Sequence, residues 1–288
     1  LAQLTCTRPL LQHSMVKADT SAKRLRAPKT LKVGSDFSGL KAAEKALARM
    51  GICFQSVFSS DNAQQCQKMI QVDKCEDETL FSDVNDRAVD EESYVDLYIA
   101  TPPCQSFAKG GKKEGLKDPR GRLIKVPIQF VARNKPRCFV MEETDALDHK
   151  KLLHIKNGII KALASLGYMV YNTRLNAQDF KVPQGRQRFF IVGIRKDSCV
   201  HTFSWPTPMT PKVTAASILD PVDVNDKPGK LPDSARAKQA AIYAYRLAYS
   251  KYGIDPRTTT IFVDIDCSPK YAAVGIGRAK TLTKTRGQ

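Results

Sequence analysis

Short apolar segments alternate with helical ones from Leu31 onward, and this alternation limits the fold more than any other feature of the chain. Leu31 to Phe37 reads as a strand that turns at Ser38-Gly39 into a helix over positions 40–50. Leu40, Ala43, Ala46, Leu47 and Met50 recur at helical spacing and are expected to form its buried face. Gly51 closes that helix, because glycine enters the left-handed region at little steric cost. Positions 52–58 predict a second strand, which ends at Ser59-Ser60-Asp61, and 62–70 predict a second helix. A β-α-β-α opening is the start of an α/β, doubly wound parallel sheet.

Downstream, acidic residues dominate positions 73–96 and read as loop and short helix. A strand is expected over 95–100, a helix over 122–134 and a strand over Cys138-Phe139-Val140-Met141, ending in Glu142-Glu143. A helix over 157–166, stopped by Gly167, precedes two strands, 168–174 and 189–194, expected to form an antiparallel edge hairpin. Prolines at 206, 208, 211, 221, 228 and 232 then break the chain up, so a boundary is expected near 205. One helix, 234–252, and one strand, 258–263, interrupt this loop-rich region. The expected division is a flexible basic leader (1–29), a larger α/β domain (30–204) and a smaller loop-rich domain (205–288).

The strand at 95–100 runs into Thr101-Pro102-Pro103-Cys104-Gln105, followed by Lys109-Gly110-Gly111-Lys112-Lys113. Two prolines make a rigid bend, and neighbouring lysines favour a thiolate. Cys104 is therefore a candidate nucleophile, a structural cysteine in a proline turn being the alternative.

Charge points to the partner. The 288 residues hold 46 Lys+Arg against 29 Asp+Glu, a net charge of +17, which suits a polyanion such as nucleic acid. Between Thr20 and Ser35 lie Lys23, Arg24, Arg26, Lys29 and Lys32 with no acidic residue. No apolar run is long enough for a bilayer. The eight cysteines contain no Cys-x-x-Cys pair and the four histidines no ligand spacing, so no metal site is expected. Scattered cysteines fit a reducing compartment, most of them as small buried hydrophobes. His149 and His154 read as surface residues.

In an open parallel sheet, ligands bind at the carboxyl ends of the strands. Those ends are Asp36-Phe37-Ser38-Gly39, Asp61, the Cys104 turn and Glu142, which should converge on one crevice. The first turn is not Gly-x-Gly-x-x-Gly, so a nucleoside-type cofactor without pyrophosphate fits better than a dinucleotide.

The order of motifs resembles the cytosine-C5 methyltransferases of DNA and their RNA-acting relatives. Pro-Pro-Cys-Gln at 102–105 looks like their catalytic loop. Gly115-Leu116-Lys117-Asp118-Pro119-Arg120-Gly121-Arg122-Leu123 is similar to the segment after it. Gln184-Gly185-Arg186-Gln187-Arg188 matches their Gln-x-Arg-x-Arg motif, and Thr281-Leu282-Thr283 a short element of the recognition region. The resemblance covers about residues 33–288 and implies a Rossmann-like sheet that uses S-adenosyl-L-methionine, with 30–204 as a cofactor-binding catalytic domain and 205–288 as a partial target-recognition domain. It implies Cys104 as the nucleophile at cytosine C6, Glu142 as the donor at N3, and Arg186 and Arg188 as orienting groups. It also implies that Phe37, Gly39, Asp61, Asp83 and Leu123 contact the cofactor, Asp61 at the ribose and Asp83 at the adenine. DNA is the expected partner, with tRNA or a catalytically weak nucleic-acid-binding role as alternatives. A monomer is expected, intracellular, nuclear if the source is eukaryotic and cytoplasmic otherwise.

Three departures stand out. Glu142-Glu143-Thr144 replaces the usual Glu-Asn-Val. Gly39-Leu40-Lys41-Ala42 replaces Gly-x-Gly-Gly. The family's closing Gly-Asn-Ser-Val-type motif is not found, and the reading is a C-terminally truncated sequence.

Overall fold

A computed structural model describes residues 30–86, 94–103, 123–210, 212–219, 234–264 and 274–280. Its centre is a seven-stranded sheet. β1 (Leu31–Asp36) is followed by α1 (Ala42–Arg49), β2 (Phe54–Ser60), α2 (Gln64–Asp73) and β3 (Thr79–Phe81). Next come β4 (Leu97–Ala100), α3 (Lys125–Asn134), β5 (Cys138–Thr144) and α4 (Leu153–Ser165). β6 (Tyr168–Asn176), the short β7 (Gln184–Gly185) and β8 (Gln187–Arg195) complete this part. The spatial order is β3-β2-β1-β4-β5-β8-β6, with β3 to β5 parallel and β8 antiparallel to both its neighbours. The expected doubly wound sheet and its antiparallel edge hairpin are both present. The direction of winding reverses between β1 and β4, and a ligand crevice belongs at such a switch point.

The core is aromatic. Tyr98 stacks on Phe130 at 4.1 Å, Phe58 meets Phe130 edge-on at 5.5 Å, and Phe139 meets Tyr168 at 5.1 Å. The two buried hydroxyls have acceptors: Tyr98 donates to Asp36 Oδ2 at 2.6 Å and Tyr168 to the Pro136 carbonyl at 2.7 Å. Gly193 on β8 leaves room for the Phe139 ring, whose nearest carbon lies 2.1 Å from where a Cβ would stand.

Several expectations need correction. The apolar face proposed for the first helix is not its buried face. Leu40 and Met50 are 57% and 70% exposed, while Lys41 and Glu44 are buried, because their polar atoms find partners inside. β2 starts and ends later than expected, since Ser59 and Ser60 pair with β1 and β3. α2 (Gln64–Asp73) and α4 (Leu153–Ser165) are shifted from the expected ranges by a few residues. β3 lies within the acidic stretch that had read as loop and helix. β5 does not stop at Met141 but continues to Thr144, because β8 pairs with it through Thr144↔Arg188. The described cysteines are not core residues: Cys53 and Cys75 are exposed and Cys66, Cys138 and Cys199 half-buried. His149 and His154 are exposed, as read from the sequence.

The later part carries α5 (Ala235–Tyr252), β9 (Ile261–Val263), β10 (Val274–Ile276) and β11 (Ala279–Lys280). Ser234 caps α5 by accepting from the Ala237 amide at 3.1 Å, and Ala237, Ala240, Ala244 and Ala248 are its buried stripe. β9 is shorter than expected because the Thr258 and Thr259 amides turn back onto the Asp255 carbonyl. β11 pairs in parallel with β7.

Candidate active site

The ends of β1, β2 and β4 are tied together. After β1 the backbone takes left-handed conformations at Phe37 (φ 57°), Gly39 (φ 56°) and Lys41 (φ 53°). This is a tight turn whose amides are held within the fold. The Ser38 amide donates to the Ser60 carbonyl at 2.8 Å, and the Gly39 amide to Asp61 Oδ2 at 2.9 Å. Asp61 Oδ1 accepts from the Ala63 amide at 2.9 Å. Asp61 thus braces two turns, and each of its oxygens keeps a further lone pair. From the β4 side, Thr101 donates its hydroxyl to the Phe37 carbonyl at 2.8 Å. Asp36 points the other way and is 1% exposed, accepting from Ser60 Oγ and the Tyr98 hydroxyl.

Asp83 follows β3, and its Oδ1 accepts from the Asn85 amide at 2.8 Å and side chain at 2.7 Å. Leu123 is half-buried and its carbonyl accepts from the Val126 amide at 3.1 Å. Cys104 lies outside the described residues, as do the leader (1–29), the 115–122 part of the Gly115–Leu123 motif and Thr281–Thr283. Pro102 and Pro103, which lead into Cys104, are described, and Pro102 is buried.

β4 and β5 run parallel with Ala100 opposite Met141, so Glu142 comes level with Thr101, one residue before the prolines. Glu142 faces Phe190 across the antiparallel ladder, and Arg188 is its diagonal neighbour on the same face. Arg188 Nε is 2.8 Å from Glu142 Oε1 and Arg186 Nη2 is 3.8 Å from the same oxygen. The Glu142 side chain is one-fifth exposed, at 21%. Burial pushes its carboxyl above the ordinary glutamate value, and the two guanidinium charges pull against that rise.

Glu143 faces the opposite side of the sheet and is 2% exposed. Among the described residues, its Oε2 has no hydrogen-bond partner, and neither has Thr144 Oγ1. Burial, reinforced by the negative charge of Glu142, holds the Glu143 carboxyl well above the usual carboxylate range. The sequence had marked Glu143 only as a departure and Lys41 only as part of an altered motif. It gave no sign of Glu78, whose carboxylate receives the Lys41 ammonium.

Beside the arginines, the connection from β6 to β8 folds onto the later part of the chain. The Met209 amide donates to the Asp179 carbonyl at 2.7 Å and Lys212 pairs with Asp179 at 3.0 Å. A cleft of about 330 Å³ opens there, lined by Asn176, Gly185, Gln187, Gly275, Arg278 and Ala279. Among the described residues no group of three or more His, Cys, Asp or Glu could hold a metal ion. No helix among them is long and apolar enough to cross a membrane.

Solved structures share this architecture. A Spodoptera frugiperda DNMT2 mutant superposes with a TM-score of 0.57 at 17% identity, over 74% of this chain and 66% of that one. A prophage-encoded E. coli protein gives 0.56 at 19% identity, over 71% and 59%. The class the fold defines is therefore an α/β protein with one central, largely parallel sheet. A family profile, C-5 cytosine-specific DNA methylase, matches residues 31–254, and the chain belongs to that family. Among curated relatives, the type II methyltransferase M.HpaII of Haemophilus parainfluenzae is 31% identical over 200 residues, covering 66% of this chain and 53% of that one. The orphan methyltransferase M.SPRI of Bacillus phage SPR is 31% identical over 168 residues, 58% and 38%. The chain thus spans about two-fifths to one-half of the length of these curated relatives.

Proposed function

We propose that this protein transfers a methyl group from S-adenosylmethionine to C5 of cytosine in DNA, through a transient bond between Cys104 and C6 of a flipped base. One observation carries this reading. Glu142, a mostly buried carboxyl raised by burial, is gripped by Arg188 at 2.8 Å on the strand next to the one that leads into Pro102-Pro103. Family membership supports the chemistry.

Cytosine C5 is too weak a nucleophile to take a methyl group unaided. Thiolate addition from Cys104 at C6 forms a C–S bond and moves the ring's electron pair towards C5. Charge then develops at N3, where a protonated Glu142 donates; its raised affinity for a proton suits that task. Arg188 fixes the carboxyl, and Arg186, more exposed at 41%, would meet the base or a phosphate from the same side. After C5 has been substituted, loss of its proton expels the Cys104 thiolate. A stacked base hides C6, so the cytosine must leave the duplex.

The turn at 37–41 and Asp61 fit a nucleoside. Among the described residues, its chain neighbours aside, none comes within 4 Å of where a Cβ on Gly39 would be, which suits close approach of a ligand to this backbone. Phe37, Gly39, Asp61, Asp83 and Leu123 would hold S-adenosylmethionine, which supplies an electrophilic methyl group when bound there. The recognition part would begin near residue 205, after Trp205 has joined the Tyr171–Phe203 aromatic pair. The named curated relatives come from a bacterium and a phage, so they lend a nuclear location no support.

A second reading, a nucleic-acid-binding homologue with weak catalysis, is favoured by Glu143, a buried carboxyl with an unpartnered oxygen in the family's asparagine position. Incubation with methyl-labelled S-adenosylmethionine and either duplex DNA or tRNA separates the readings. Label in DNA, recovered as 5-methylcytosine, is expected. Label in tRNA alone would reassign the substrate, and binding to both polymers with no label would establish the second reading.

A further inference from the structure

Lys41 occupies a glycine position of the family's first motif and keeps a glycine-like backbone, with φ at 53°. A residue with a Cβ enters that region at a cost. Its amide closes the turn on the Ser38 carbonyl at 2.9 Å, and α1 starts directly after it with no side-chain cap. A lysine at a turn ordinarily reaches for solvent. This one runs inward: Lys41 is 4% exposed, and its Nζ stands 2.6 Å from both oxygens of Glu78, which is 2% exposed. Glu78 Oε1 also accepts from Ser59 Oγ of β2 at 2.5 Å, and Oε2 from the Cys75 amide at 3.3 Å. Beside this pair, Ser35 of β1 donates to Glu44 of α1 at 2.7 Å. The charges are thus joined and their oxygens filled.

Desolvation offsets most of the attraction in a buried ion pair, so stability alone is a poor reason to keep one. Geometry is the better reason here. Lys41 ends the Phe37–Lys41 turn, and Glu78 immediately precedes β3, which leads to Asp83. We propose that the Lys41–Glu78 pair is a positioning device for the cofactor crevice, tying the turn that carries Phe37 and Gly39 to the segment that carries Asp83. Lys41 and Glu78 act through these residues and do not touch the ligand. The inference rests on the proposed S-adenosylmethionine site. It replaces the looseness of a second glycine with a fixed link between two walls of that site.

The test compares wild type with Glu78→Gln and with the double variant Lys41→Met/Glu78→Gln. The double removes both charges and keeps one amide oxygen as an acceptor at Glu78, so no lone charge is left buried. Two readings are taken on each: the calorimetric Kd for S-adenosylmethionine and the exchange rate of the Gly39 amide in ligand-free protein. The expected result is a Kd weaker by about tenfold in both variants, equivalent to ~1.4 kcal/mol. Gly39 exchange should quicken by at least about tenfold while the Ile191 amide, in the core, keeps its wild-type rate. Should Glu78→Gln fail to fold, the double variant alone decides. A lower Tm with unchanged Kd and unchanged Gly39 exchange would overturn the proposal and leave the pair a stabilising contact. If wild type itself binds no S-adenosylmethionine, the site assignment fails, and Gly39 exchange then decides the tether: faster exchange upholds it, an unchanged rate rejects it.

Discussion

Glu142 and Glu143 are neighbours in β5 but project from opposite faces of the sheet, and their surroundings give them different work. Glu142 has two arginines and partial access to solvent. Its replacement by glutamine keeps shape and removes the proposed proton donor, so methyl transfer should fall at least ~100-fold, the usual scale for a general acid. DNA affinity, measured without cofactor, should stay within a few-fold of wild type. A variant that retains most of its rate would take Glu142 out of the chemistry. Glu143 has burial, a like charge beside it and an unpartnered oxygen. Its folded-state pKa is raised above the unfolded one, so the stability it contributes is full below the ordinary glutamate range. That stability is lost as pH rises through the elevated value. Glu143→Gln cannot ionise and should escape this loss. Its Tm relative to wild type should climb between pH 5 and pH 8 by roughly 2–4 °C for each kcal/mol recovered. A difference that stays flat with pH would mean that Glu143 does not ionise in the folded protein over that range.

At the scale of elements, the alternation of β and α segments was plain in the sequence because periods of two and of 3.6 residues leave different marks. The buried face of α1 was not legible, since it is built from Lys41 and Glu44. Apolar periodicity cannot report a buried polar network. Residues 37 apart, Lys41 and Glu78, meet only because the crossover brings β3 beside β2. The end of β5 was misread for a related reason: its apolar run stops at Met141, whereas its pairing with β8 continues to Thr144. The arginines were named from a motif, but their contact with Glu142 follows from hairpin register. That register depends on close packing at Gly193. Gly193→Ala would press a methyl group into the Phe139 ring, 2.1 Å away. The expected cost is about 1–3 kcal/mol of stability by urea denaturation. An unchanged midpoint would mean that the Phe139 ring moves aside freely.

For the whole molecule, the net charge of +17 makes a prediction that does not depend on catalysis. DNA affinity should weaken steeply with salt, by roughly 10³-fold from ~50 to ~200 mM if six or more phosphates are neutralised. A shallow slope would confine the basic residues to other roles. The arrangement itself gathers three kinds of group at one end of one sheet: a glycine-bearing turn braced by Asp61, the Pro102-Pro103 segment after β4, and a carboxyl held by arginine. The central claim is that these groups act together on a cytosine ring. The most direct measurement incubates the protein with S-adenosylmethionine and duplex DNA containing 5-fluorocytosine, whose C5 cannot release a proton, and resolves the products under denaturing conditions. A protein–DNA adduct that survives denaturation in wild type and disappears in Cys104→Ser is predicted. Tight binding with no adduct on DNA would contradict the claim.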